Sequence, residues 1–92
     1  MTKLTIDGKS VDLNEFTAAV LAGALRGAVG ALHGIGAPDH VVLTSTPPRL
    51  EVDGTDVTVN AFARAMLFGI VRGAFGPLKG VAPDADFRLE VS

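Results

Sequence analysis

Arg26 and Arg72 stand 46 residues apart, at equivalent places in two long segments that carry few other charges. A guanidinium offers a planar fork of donors that grips a carboxylate or phosphate through two parallel bonds. Two such forks drawn towards a common two-fold axis would clamp an anion, and His33 and Lys79, at the same spacing, would add further cationic groups. The plainer reading gives each arginine a local acid such as Glu15, Asp12 or Asp56, or an edge facing water, and it is preferred.

Other chemistry finds less material. His33 and His40 are the only histidines and the chain has no Cys, so the three or four donors of a usual metal site are missing from the pattern. Neither a metal nor any other cofactor is expected. Asp7 and Asp53 precede glycines, while Asp39 and Asp84 follow prolines, positions where a short acceptor side chain shapes a turn and needs no acid–base role. No G-x-S-x-G supports a Ser-His-Asp relay, and no nucleophile, base and orienter come together, so the chain reads as a non-enzyme.

Composition narrows the partners. Eight Lys and Arg stand against ten Asp and Glu, a net charge of −2, which lacks the basic surplus of a nucleic-acid binder; the aromatics are five Phe, too few and too scattered for a stacking platform. Mean hydropathy is +0.40, yet the apolar stretches at 16–35 and 62–81 contain Arg26 and His33, or Arg64, Arg72 and Lys79. Central cations cost about 2.5–3.5 kcal/mol each in a membrane, so no transmembrane span is expected. Charges fill the first ten residues where a secretory apolar core would lie, which makes the cytoplasm the default location.

These residues are positioned by a duplication. Shifted by 46, the chain matches itself without a gap from Leu4 to Ile35, with 15 of 32 positions identical, among them Asp7/Asp53, Gly8/Gly54, Asn14/Asn60, Phe16/Phe62 and Leu21/Leu67. One residue is then dropped, setting Ala37-Pro38-Asp39 on Ala82-Pro83-Asp84. Two copies, residues 1–46 and 47–92, point to one domain built like a fused dimer around a pseudo-two-fold axis.

Each copy opens with two alternating runs around Asp-Gly, the signature of a hairpin, with second strands expected at Val11–Leu13 and Val57–Val59. Asn14 and Asn60 stand as helix N-caps before long apolar segments. Third strands are expected at His40–Thr44 and Phe87–Val91, with the linker at Thr44–Pro48. Pro77, in place of Ala31, should kink or restart the second helix near Gly76. The fold class is therefore α+β: tandem β-β-α-β units, a single mainly antiparallel six-stranded sheet, two helices on one face. Placing each third strand beside the first strand of its own copy lets the halves meet edge to edge.

At about 100° per residue, Gly23, Gly27, Gly30 and Gly34 fall within roughly 60° of arc, with Phe16 on the same side. Phe62, Gly69, Gly73, Gly76 and Gly80 repeat the arrangement. Interior glycines cost a helix about 0.5–1 kcal/mol each against alanine, and close approach of another backbone is the usual compensation. Leu21, Leu25 and Leu32, with Leu67, Val71 and Leu78, occupy the opposite arc. A helix lying on a sheet needs one apolar face and these have two. A homo-oligomer, or docking on a larger protein assembly through the glycine faces, is the expected remedy, with anion binding at Arg26 and Arg72 as the alternative.

Overall fold

The computed structural model of the chain describes residues 1–33, 38–75 and 85–92. Expectations placed on Gly34, Gly76, Pro77, Lys79 and Gly80, and on the side chain of His33, lie outside the described residues. The elements run β1 (Thr2–Ile6), β2 (Lys9–Val11), α1 (Glu15–His33), β3 (Val41–Thr44), β4 (Arg49–Val52), β5 (Thr55–Val57), α2 (Ala61–Phe75) and β6 (Phe87–Val91). The fold is α+β, with all strands in a single six-stranded sheet whose every pairing is antiparallel. The two helices pack on each other and share one core with the strands.

Each hairpin turns on two residues. Ile6 pairs with Lys9 and Val52 with Thr55, so Asp7-Gly8 and Asp53-Gly54 alone make the loops. All four have positive φ, 49° and 80° in the first turn and 50° and 84° in the second. Turns with two left-handed residues twist in the sense of the flanking strands, and Asp and Gly tolerate that conformation. Such tight closure starts the second strands directly after glycine, at Lys9–Val11 and Thr55–Val57, two residues earlier than the alternation of Val11–Leu13 and Val57–Val59 predicts.

Strand order is β2-β1-β6-β3-β4-β5, which corrects the expected placement of third strands. β3 does not lie beside β1; it pairs with β4 and β6, while β6 pairs with β1. The cause is the short Ser45–Pro48 connection, which leaves Thr44 paired with Arg49 and makes β3 and β4 a hairpin, with a cis Thr46–Pro47 bond inside it. Thus β3, from residues 1–46, is stitched to β4, and β6, from residues 47–92, is stitched to β1.

Burial follows the pleat. Leu4, Ile6, Val41, Leu43, Leu50, Val52, Phe87, Leu89 and Val91 alternate inwards to meet Leu21, Leu25 and Val29 from α1 and Leu67, Val71 and Phe75 from α2. Phe87 takes the edges of two helix rings, Phe68 at 5.7 Å and Phe75 at 5.3 Å. On the other face charges pair among themselves: Arg49 with Asp56 and Glu51, and Glu90 with Arg88 and His40. No helix among the described residues is long and apolar enough to cross a membrane.

Candidate functional site

Both helices begin as their caps dictate. The Asn14 side-chain oxygen accepts the Thr17 amide at 2.8 Å, and that of Asn60 accepts the Ala63 amide at 2.7 Å, each satisfying a donor that the first turn leaves free. Beyond the caps the helical period separates two apolar arcs. Leu21, Leu25 and Val29, like Ala63, Leu67, Val71 and Phe75, are buried against the sheet. The arc with the glycines therefore points away from it.

That outward arc is apolar and open. Phe16 is 77% exposed and Phe62 74% exposed, values far from those of a packed ring, and Val20, Met66 and Ile70 are exposed beside them. Gly23, Gly27, Gly69 and Gly73 are exposed, and a Cβ placed on any of them would meet no atom within 4 Å. Gly30 is half-buried at the rim. Among the described residues, the compensation expected from close backbone approach is thus not made at these four glycines. Val20, Met66 and Ile70 belong to the same surface and escape the sequence reading, although the i, i+4 spacing of Phe16–Val20 and Phe62–Met66–Ile70 carries the signal.

The arginines do different work from the one envisaged for a clamp. Arg26 Nη2 donates to the Asp39 carbonyl at 2.8 Å, and Arg72 Nη1 donates to the Ala85 carbonyl at 3.0 Å while its guanidinium lies 5.2 Å from the Phe87 ring centre. Each ties its helix to the chain just before a third strand. Arg26 Nε is buried without a hydrogen-bond partner among the described residues. β3 and β6 run antiparallel, so the two anchoring carbonyls are at opposite ends of the sheet: Phe87 sits opposite Ser45, six residues along from Asp39. At about 3.3 Å per residue the separation is on the order of 20 Å, and the structure does not bring Arg26 and Arg72 together.

The spacing of these bonds repeats the shift of 46. Asp39 and Ala85 are 46 apart, as are His40 and Asp86, whose carbonyls accept the Asp53 and Asp7 amides at 2.8 Å each. The match of Ala37-Pro38-Asp39 with Ala82-Pro83-Asp84, at 45, falls largely outside the described residues, and at the third strands the bonds keep the shift of 46. A one-residue slip there would set inward Phe87 on Val42, whose side chain belongs to the opposite face of the sheet from Val41 and Leu43.

Among the described residues, no three His, Cys, Asp or Glu side chains stand together as a donor set for a metal. Of the two histidines, His40 is half-buried with Nε2 at 3.2 Å from Glu90 Oε2. Compared with known proteins, the chain matches no family model, no curated protein and no solved structure.

Proposed function

We propose that this chain is a tandem duplication whose halves exchange third strands about a pseudo-two-fold axis, and that it serves as a self-associating structural module. Two copies stack their helix layers, glycine ridge against glycine ridge, so that each sheet faces outwards. The observation behind this reading is the open space over Gly23, Gly27, Gly69 and Gly73, flanked by Phe16 and Phe62 with about three quarters of their surface in water.

The physical reasons are of two kinds. Phe16 and Phe62, at about 150–250 Å² each when covered, supply the large rigid anchors that dominate an interface. The glycines between them let another helix approach until the two backbones touch. Among the described side chains of α1 after its first residue, the exposed ones, Phe16, Ala19, Val20, Gly23, Gly27 and Ala31, carry no charge, so none of them brings a charge to be desolvated. A second copy brings the same uncharged arc to itself, as an isologous interface requires. Catalysis and anion clamping play no part in this reading.

Light scattering coupled to size-exclusion chromatography of the full chain tests it. The expected result is a dimer or larger species at micromolar concentration that falls to monomer in Phe16→Glu and Phe62→Glu, with circular dichroism unchanged. A wild-type chain that stays monomeric at tens of micromolar overturns self-association.

A further inference from the structure

We propose that the second half of the chain contains a binding site for a small monocarboxylate with an apolar tail, in the cavity between the start of α2 and the β4–β5 hairpin, with Arg64 as the carboxylate's partner. The cavity is about 260 Å³ and its apolar wall includes Leu43, Leu50, Leu67 and Phe68. At about 30 Å³ per water-sized atom it has room for roughly eight heavy atoms, the size of a six-carbon acid.

Arg64 gives the cavity its chemistry. It lines the space, is half-buried, and its guanidinium has no hydrogen bond or ion pair among the described residues. Asp56, the acid that also lines the cavity, is already committed: its two oxygens take Arg49 Nε and Nη2, both at 3.0 Å. That bond holds the Asp56 carboxyl below its ordinary value. A half-buried arginine thus lines the same cavity as Leu43, Leu50, Leu67 and Phe68 with no protein partner among the described residues and its donors open to water, which an incoming carboxylate exchanges for a charge-assisted pair.

The feature is peculiar to this half. Positions 46 earlier carry Ala18 for Arg64 and Ala22 for Phe68, so neither the cation nor the aromatic wall recurs. The site does not touch the glycine faces and is independent of self-association.

Hexanoate titrated into the full chain, followed by amide resonances in two-dimensional NMR, decides the matter. Saturable shifts are expected at Leu50, Val57, Leu67 and Phe68. Arg64→Ala, which copies the residue at position 18 and so keeps the helix, should weaken hexanoate by ~10-fold or more, as loss of a charge-assisted pair predicts, and Arg64→Lys should recover part of it. Acetate, lacking the tail, should bind more weakly still. The proposal is overturned if hexanol shifts the same resonances as strongly as hexanoate, if Arg64→Ala binds hexanoate unchanged, or if no saturation occurs below about 50 mM, which would place the affinity weaker than about 2 kcal/mol.

Discussion

Asp53 and His40 are joined twice: the Asp53 amide donates to the His40 carbonyl at 2.8 Å, and Asp53 Oδ1 accepts the His40 amide at 3.0 Å. Asp7 and Asp86 repeat the pair at 2.8 and 3.1 Å. Each aspartate also supplies the first left-handed residue of its hairpin turn. One side chain therefore serves both a hairpin turn and the entry of the neighbouring strand, β3 for Asp53 and β6 for Asp7, and so holds that strand in register.

Replacing Asp53 by Ala should destabilise the chain by about 1–2 kcal/mol. Roughly half is the lost hydrogen bond, and the rest is the strain of a left-handed alanine. Asp53→Asn keeps an acceptor and a residue type at ease in that conformation, so it should recover most of the loss. Urea unfolding of the three proteins checks the order.

The exposed glycines make opposite predictions for stability and association. Gly23→Ala and Gly69→Ala place a methyl where no atom lies within 4 Å, so each should stabilise the isolated domain by about 0.5–1 kcal/mol. Where two ridges meet, the same methyls hold the helices apart and should weaken the oligomer. Denaturation at low concentration and sedimentation equilibrium read the two effects separately. Glycines with no bearing on contact would give the first without the second.

How much of this is legible in the sequence depends on the range of the signal. Asp-Gly fixes the hairpins and Asn14 and Asn60 fix the helix starts, because turn and cap chemistry act within three residues. The inward Leu21 and Leu67 and the outward Phe16 and Phe62 separate at the helical period, although period alone cannot say which arc meets the sheet. Strand order is misplaced because it depends on Ser45–Pro48 closing a hairpin, and prolines read as a linker hide a turn. The Arg26 bond to the Asp39 carbonyl has no local signature, since a guanidinium can reach any oxygen that the tertiary fold brings within range. Arg64 stands out little as one cation in an apolar helix, but its divergence from Ala18 is the available clue.

The two caps should differ in weight. Removing an Asn cap costs about 0.5–2 kcal/mol. The bond from Ala63 to Asn60 is part-buried, and the one from Thr17 to Asn14 is exposed. Water replaces a lost acceptor more readily at an exposed amide, so Asn60→Ala should be the more damaging substitution. Equal losses in thermal unfolding would mean that burial at Ala63 does not govern the cap.

Glu90 should make stability fall with acid. Its carboxyl is held below the usual value of 4.5, first by the hydrogen bond from Arg88 and then by that with His40. A depressed carboxyl binds protons more tightly in the unfolded chain, so its contribution is complete above about pH 4.5 and is lost as the pH drops through the lower folded value. The Glu90 side chain is 26% exposed, and pairs of this kind contribute on the order of 0–1 kcal/mol. Glu90→Gln cannot titrate, so its stability relative to the native protein should be lowest near neutral pH and rise towards parity as the pH falls from 4.5 through the folded value. A difference that stays constant across urea unfolding from pH 7 to pH 3 would show that the Arg88 and His40 contacts favour neither charge state of the carboxyl.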